Sequence, residues 1–259
     1  MTDNRIYAED DLLSPFLLSL LVSAVLIQVA VFSTTIYLHR SATHRAIVLH
    51  PAVEWVFRFC IWVTTGIVPA EWVAVHLKHH AFTDEEGDPH SPALEGFWKV
   101  QWGNVFYYIR ELKDRSIVAK YAHHMKTDAW DRALFHRGAI GPILGTVGLC
   151  LVLGVGWGLL AAGVHAFMYV FVLSSSINGL CHHVGYKNFA NTATNIRFVA
   201  WLTGGEGLHN NHHGFPRSPK FSVRRSEFDP AWPVIRLLTA LKLAKPYKTI
   251  DAALVSRTA

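Results

Sequence analysis

Histidines are the residues of this sequence whose type and spacing most clearly indicate chemistry. The chain has 259 residues and 16 histidines, and many of these histidines fall in clusters. His76–His80 and His209–His213 each have the pattern HxxHH, and residues three and four positions apart share one face of a helix. Each cluster should therefore direct three imidazoles toward one point. Neutral imidazole binds zinc, copper, iron and nickel, so the spacing predicts metal binding.

Two further clusters lie beside long apolar stretches. His39 and His44 form HxxxxH directly after the first stretch, and Asn178 and His182 lie four positions apart at the end of the last one. Five residues turn an α-helix about 140° past a full circle, so HxxxxH does not fit one helical face. We expect His39 to end a helix and His44 to lie on the chain that turns away from it.

The number of clustered histidines indicates two metal ions. These clusters contain nine histidines, which exceeds the three or four protein ligands of a zinc site. Iron is the natural choice for such a pair where dioxygen must be activated.

The elements that position these clusters are predicted to lie in a membrane. Hydrophobic residues make up 51% of the chain and charged residues only 17%, below the roughly 25% of a soluble globular protein. The 12% of aromatic residues excludes a disordered chain, and three scattered cysteines exclude a disulfide scaffold. Charge-free stretches predict three transmembrane helices, at about 12–38, 140–155 and 159–181.

The basic residues predict the orientation in the membrane. Of 24 Lys and Arg residues, nine fall between Glu71 and Arg137 and eleven follow Tyr186. Because basic residues mark the cytoplasmic side, we expect 71–137 and 187–259 to be cytoplasmic and the N-terminus to lie outside. In a bacterium the membrane would be the inner one. The net charge of +5 then reflects topology, and nucleic acid is not an expected partner.

The segment Ala46–Ala70 is apolar but is interrupted by Glu54 and Arg58. Its longest charge-free run has 12 residues, which is more typical of an interfacial or re-entrant segment than of a span. A crossing here would also place the first two histidine clusters on opposite faces of the bilayer. We therefore expect an interfacial helix at about 51–70. The predicted fold is one all-α integral membrane domain over 1–259, with three spans, this interfacial helix and a cytoplasmic helical cap that carries a di-iron site.

Taken together, the motifs resemble those of the membrane fatty acid desaturases, specifically the acyl-CoA Δ9 (stearoyl-CoA) desaturase-like branch. The resemblance runs from about His39 to Lys245. The matching motifs are His39-Arg40, Glu71-Trp72, Asp88-Pro89-His90, Asn178-xxx-His182-xx-Gly185-Tyr186 and Gly205-Glu206-xx-His209-Asn210-x-His212-His213.

The resemblance implies that nine histidines bind iron and that Asn178 holds one iron through a water. The implied iron ligands are His39, His44, His76, His79, His80, His182, His209, His212 and His213. The candidates for accepting imidazole N–H groups are Glu206, Glu71, Asp84 and Asp88. The histidines at 50, 90, 123, 124, 136, 165 and 183 match no ligand position and are interpreted as structural or surface residues, with His183 a candidate for supporting a ligand.

The implied reaction introduces a cis double bond, at Δ9, into an acyl chain carried on CoA, a carrier protein or a lipid, with acyl-CoA the expected substrate. A methylene C–H bond offers no acidic proton and no leaving group, so an oxidant made from O2 at two Fe ions must remove hydrogen. The candidates for lining a dry acyl slot are Trp72, Trp102, Trp201 and Tyr186. The candidates for meeting a phosphopantetheine carrier are Lys78, Arg110, Lys113, Arg217 and Lys220.

The sequence also predicts a separate electron donor. It has no haem-binding or Cys₄ iron–sulfur pattern, so we expect a ferredoxin-, rubredoxin- or cytochrome-type donor with its reductase, besides membrane lipid. One departure from the four-span animal members is that 38 residues precede His39, so we expect their additional first helix to be lacking.

Two kinds of alternative stay open at this point. A hydroxylase, an acetylenase or an alkene-forming decarboxylase would use the same site on the same kind of chain. A histidine-rich metal transporter or sensor belongs to a different class. Transporters usually carry ionisable groups at mid-membrane, whereas the predicted spans contain no Asp or Glu and only His165 lies well inside them.

Overall fold

Two long apolar helices form the frame of the molecule. The computed structural model describes residues 4–249, and side chains from residue 14 onward. Helix α1 (Asn4–Ser33) continues into a π-helical segment, Thr34–Thr43. Helix α8 (Val155–Phe167) continues through a second π-helical segment, Met168–Ser174, into α9 (Ser175–Asn178) and a 3₁₀ turn at Leu180–His182. By length and composition, Ser14–Thr43 and Val155–His182 are able to cross a membrane, which agrees with two of the predicted spans.

The third predicted span, at 140–155, is a shorter helix in the structure. Helix α7 (Ile140–Leu153) has 14 residues, about 21 Å of helix against a hydrocarbon core of about 30 Å. Gly154, whose φ of 84° suits glycine, joins α7 directly to α8. Gly141 lets α7 approach α2 (Pro51–Thr65) so closely that a Cβ there would lie 2.0 Å from the carbonyl oxygen of Trp62. Helix α7 therefore completes the bundle as a short, tightly packed helix.

The segment predicted as one interfacial helix is a bent pair. Helix α2 ends where Gly66 adopts φ 68°, and α3 (Pro69–Ala81) follows at an angle of 87°. The Nε2 atom of His44, before this pair, lies 3.0 Å from the Nε2 atom of His76, within α3. The chain therefore returns to the place it left, as the prediction required, but it does so through a bend and not along a single helix at 51–70.

A small sheet departs from the predicted all-α fold. Strand β1 (Ile47–Leu49) pairs antiparallel with β2 (Ala244–Pro246), with Ile47 opposite Pro246. Three-residue strands carry too little alternation to be recognised in a sequence. Their pairing attaches the C-terminal part of the described chain to the segment that directly follows His44. Beneath it, Ile36, Ile61 and Ile235 share one buried apolar cluster.

Short helices form the cap over the histidine end of the frame. They are α4 (Pro92–Glu95), α5 (Phe97–Glu111), α6 (Ser116–Tyr121), a π-helical turn at Asp131–Phe135, α10 (Arg197–Leu202), α11 (His209–Gly214) and α12 (Ala231–Ala240). Arg58 of α2 anchors the cap by donating to Asp128 at 2.7 Å and to Asp131 at 2.6 Å. These ion pairs explain why Arg58 interrupts an otherwise apolar helix, and the second charge, Glu54, lies 3.9 Å from Arg58.

A buried ion pair fixes the cap beside the first histidine cluster. The Arg40 guanidinium is fully buried and makes two hydrogen bonds to Asp229, at 2.9 and 3.0 Å. It also donates to the carbonyl oxygens of Pro219 (2.9 Å) and Gly204 (3.1 Å), and it lies 3.8 Å from the ring centroid of Phe221. One side chain thus connects three separate segments of the chain next to His39.

We expect Arg40→Ala to lower the free energy of unfolding by about 3–5 kcal/mol, because it leaves the Asp229 carboxylate buried and unpaired. The matched control is Arg110→Ala, which removes an exposed pair with Glu95 (3.0 Å) and should cost less than about 1 kcal/mol. Denaturant unfolding of the detergent-purified variants measures both. Equal losses would contradict the assigned role of Arg40.

Candidate metal centre

The first histidine cluster lies on a π-helix. Within Thr34–Thr43, backbone bonds span five residues, and the N–H of His44, which caps this segment, donates to the His39 carbonyl at 3.1 Å. The wider turn brings His39 and His44 to one side, with ring centroids 4.9 Å apart. The expectation that a helix ends at His39 was wrong, because the argument assumed 3.6 residues per turn.

The two HxxHH clusters lie on helices, as their spacing predicts. His76, His79 and His80 belong to the last turns of α3, and His209, His212 and His213 are three of the six residues of α11. His182 comes from the 3₁₀ turn after α9. The cap folds α11 onto α3, so that His80 and His213 stack with ring centroids 4.3 Å apart.

Buried asparagines hold α11 in place. A helix of six residues is not stable alone, and Asn210 and Asn211, between its histidines, are fully buried. The Asn211 amide donates to Glu227 at 2.9 Å, and the Asn210 amide donates to the carbonyl oxygen of Ala193 at 3.0 Å. The pattern HNNHH therefore combines three imidazoles that face the metal centre with two amides that attach the helix to its surroundings.

The structure brings the nine predicted ligands together in two groups. The five-imidazole group consists of His39, His44, His76, His80 and His212. The four-imidazole group consists of His79, His182, His209 and His213. Within each group the candidate ligand nitrogens all lie within 4.8 Å of one another. Each group has the donor chemistry of a metal site.

Carboxylates contact the outer nitrogens of three of these imidazoles. The His39 Nδ1 lies 2.6 Å from Glu206, the His79 Nδ1 lies 3.0 Å from Asp88, and the His182 Nδ1 lies 2.8 Å from Asp84. Such a contact places the proton on Nδ1 and leaves Nε2 as a lone pair. The predicted partners Glu206, Asp88 and Asp84 therefore lie where they orient imidazoles.

The inner nitrogens are arranged as a cation would require. The His39 Nε2 lies 3.0 Å from the His212 Nε2, and the His212 Nε2 lies 2.9 Å from the His80 Nε2. The Nε2 atoms of His79 and His182 are buried and, among the described residues, have no hydrogen-bond partner. Lone pairs this close repel unless a positive charge lies between them. At about 2.1 Å from one ion, two nitrogens at a right angle are about 3.0 Å apart, so the residues fit metal binding.

Two predicted residues lie outside both imidazole groups. The Asn178 amide donates to the Asn104 side chain at 3.0 Å, a partner that the sequence did not indicate. Glu71 lies in the first turn of α3 and lines an internal cavity. No contact of either side chain with the nine imidazoles is seen in the part of the chain that the structure describes.

His90 is nearer the centre than its interpretation as a structural or surface residue suggested. It is buried and stacks on His79 with ring centroids 4.8 Å apart. His79, Asp88 and His90 form a third, smaller group with metal-binding chemistry. Its position in the motif Asp88-Pro89-His90 was the available signal. His183, by contrast, stacks on Phe97 (4.6 Å) and not on a predicted ligand.

Burial keeps most of these imidazoles neutral. Desolvation, reinforced by neighbouring imidazoles, lowers the pKa of seven of them well below 6.5, and these are His44, His76, His79, His80, His209, His212 and His213. Burial lowers the pKa of His90 to about 3. Burial alone would raise the pKa of Asp84, but the hydrogen bond and charge interaction with His182, together with hydrogen bonds to Thr192 and Ser91, outweigh burial and lower it. These seven imidazoles are therefore neutral ligands at neutral pH.

A largely apolar cavity of about 320 Å³ adjoins the five-imidazole group. Its walls include Val31, Val105 and Leu173, and its lining reaches His39 and His76. Of the four aromatic residues predicted to line it, the structure places only Trp72 there, stacked on His76 at 4.8 Å. Trp102 and Trp201 are exposed on the surface, and Tyr186 donates to Glu227.

We expect the metal-free protein to lose stability as pH falls below about 6.5. The unfolded chain binds protons there, whereas the buried imidazoles, with lowered pKa values, do not. Each such imidazole contributes a slope of up to about 1.4 kcal/mol per pH unit. Melting temperatures of chelator-treated protein between about pH 5.5 and 7.5 measure the effect. A melting temperature that is constant over this range would contradict neutral, buried imidazoles.

We expect Glu206→Gln to weaken metal binding about 10- to 100-fold, because the amide accepts the His39 N–H without supplying a negative charge. Glu95→Gln is the control, since Glu95 contacts Tyr107 and Arg110 and no imidazole of either group. Chelator competition on the purified proteins measures both affinities. Similar affinities for the two variants would show that Glu206 does not tune the site.

Comparison with known proteins supports this reading of the site. The sequence matches the family described as "Fatty acid desaturase" over residues 15–247. It is similar to an acyl-CoA 5-desaturase of Anemone leveillei (32% identity, over 91% of this chain and 72% of the relative) and to an icosanoyl-CoA 5-desaturase of Limnanthes douglasii (34%, 84% and 61%). It is also similar to an sn-1 stearoyl-lipid 9-desaturase of a Synechocystis strain (30%, 83% and 66%). The chain thus spans between 61% and 72% of the length of these three relatives.

Together with the clustered imidazoles, these matches show that the chain belongs to the fatty acid desaturase family, whose members are oxidoreductases.

Proposed function

We propose that this protein is a dioxygen-dependent di-iron fatty acyl desaturase that introduces a cis double bond, at Δ9, into a saturated chain. The observation that carries the proposal is that an apolar cavity adjoins the five-imidazole group, which in turn packs against the four-imidazole group. The balanced reaction converts –CH2–CH2–, O2, two electrons and two protons into –CH=CH– and two water molecules. The relatives named above act at position 5 or 9, so regiochemistry is part of the proposal.

The five-imidazole group is proposed to hold one iron and the four-imidazole group the other, with Asn178 holding one iron through a water. When bound, the irons supply the oxidising power drawn from O2. The neutral Nε2 atoms are suited to this role because Glu206, Asp88 and Asp84 retain the protons on Nδ1. Catalysis is proposed to need all nine histidines, since each occupies a position toward one of the two ions.

The chain's own residues hold the substrate and exclude water. The walls around Val31, Tyr169 and Leu173 offer no charge, which suits a methylene chain. Trp72 both lines the cavity and stacks on His76, so it connects the position of the substrate to that of a ligand.

The remaining parts of the proposal concern partners and location. A separate ferredoxin-, rubredoxin- or cytochrome-type donor with its reductase is proposed to supply the electrons. The site is proposed to lie at the cytoplasmic side of the membrane, with the N-terminus outside, because the basic residues concentrate in the cap. An acidic donor would be attracted to that face.

We expect His79→Ala and His212→Ala to abolish desaturation, since each removes one proposed ligand from a different imidazole group. His124→Ala should remain largely active, because His124 contacts the carbonyl oxygen of Ala42 (3.0 Å) and the ring of His123 and belongs to neither imidazole group. Mass spectrometry of the lipids of expressing cells measures the unsaturated product. Equal activity in all three variants would overturn the ligand assignment. Hydroxylated or shortened products without a new olefin would instead favour the alternative outcomes at the same site.

A further inference from the structure

Helix α5 has two distinct faces. Its inner face carries Val100, Gln101 and Asn104, all of which are buried. Its outer face carries four large apolar side chains with much of their surface exposed: Trp98 (70%), Trp102 (49%), Phe106 (64%) and Ile109 (52%). At 100° per residue these four lie within about 80° of the helix circumference. We call them the α5 stripe.

The helix that carries the α5 stripe packs against the second long apolar helix. Helix α5 packs against Met168–Ser174 and α9, which belong to the candidate span Val155–His182. The Asn178–Asn104 hydrogen bond (3.0 Å) fixes that contact. Exposed Lys99 and Arg110 border the stripe along one edge. An aromatic stripe with cations at its edge is the pattern of a helix lying in a membrane interface, where the cations reach the lipid head groups.

The internal cavity opens beside this stripe. Asn104, Val105 and Tyr108 of α5 line the cavity. Of the described residues that line it, Ile109 alone is mostly open to the outside, and it also belongs to the α5 stripe. Ile109 lies only about 40° around the helix axis from Val105. Around the helix axis, the other side chains of the α5 stripe therefore lie on one side of Ile109, and the cavity lies on the other side.

The cations near this opening are few for a carrier with several phosphates, since Lys99 and Arg110 are the two that α5 carries. The neighbouring cation, Arg110, is already paired with Glu95 at 3.0 Å, and Leu94, next to Glu95, is 57% exposed. A thioester carrier arriving from water would have to place its phosphates next to these groups. A chain that arrives from the bilayer would first meet the apolar side chains of the α5 stripe.

We propose that the α5 stripe lies in the lipid surface and that the acyl chain enters the cavity from the bilayer past Ile109, so that the substrate is a chain esterified to a membrane lipid. This inference rests on the proposed desaturase function and names its substrate class. It replaces the expectation of acyl-CoA that the sequence suggested.

Double-labelled lipid tests the substrate class. Cells expressing the full chain are supplied with phospholipid labelled in both its glycerol and its saturated acyl chain. We expect lipid molecules that retain both labels and have gained one double bond. If double bonds form only in molecules that have lost the glycerol label, the inference is overturned while the desaturase function stands. If no labelled chain gains a double bond in any pool, the proposed function fails and the inference fails with it.

Two variants test the location of the opening and of the stripe. We expect Ile109→Trp to reduce formation of the double-labelled product about tenfold, whereas Leu237→Trp, at an exposed position on α12 away from the cavity, leaves it unchanged.

In membranes, Phe106→Cys should react with a membrane-impermeant maleimide about tenfold more slowly than Lys120→Cys, as read by mass spectrometry at each position. Equal activities for the first pair, or equal labelling rates for the second, would overturn the proposal.

Discussion

The convergence of nine imidazoles, most of them buried, is the constraint on which the rest of this structure depends. Inner nitrogens such as those of His39 and His212 lie 3.0 Å apart in a region without solvent. Two neutral acceptors at that distance repel, and protonating them would place a charge in a buried site. Burial lowers the pKa of His212 well below 6.5, so protonation is disfavoured at neutral pH. A bound cation removes both penalties, and much of the surrounding structure serves to keep the nitrogens in place for it.

Each supporting feature fixes one part of that arrangement. The π-helical segment Thr34–Thr43 turns His39 and His44 to the same side. Glu206 orients the His39 ring, and Arg40, one residue further, ties the same turn to the segments around Pro219 and Asp229. The Asn210 and Asn211 side-chain amides attach α11 to Ala193 and Glu227. Rigid support of this kind suits a site that must present preformed ligands to a metal while an apolar chain lies beside it.

The sequence predicted those parts of the site that follow from local periodicity. The two HxxHH clusters lie on helices because three- and four-residue spacing has one simple helical solution, and Glu206 and Asp88 were close enough in sequence to ligands to be suspected. The π-helical turn was missed because residue spacing does not reveal which backbone groups pair. The strand pairing of Ile47 with Pro246, the Asn178–Asn104 bond and the burial of His90 were missed because each depends on packing between distant segments or on tertiary burial. Trp102 was expected to line the acyl slot, but composition alone does not distinguish an aromatic ring facing a cavity from one facing outward.

The most direct test of the central claim is to locate the metals. Anomalous difference maps from crystals of the iron-loaded protein, recorded above and below the iron absorption edge, show iron and distinguish it from zinc. The account predicts two iron peaks per chain, one among the inner nitrogens of the five-imidazole group and one among those of the four-imidazole group. A single peak, a zinc signal in place of iron, or iron bound away from these nitrogens would contradict it.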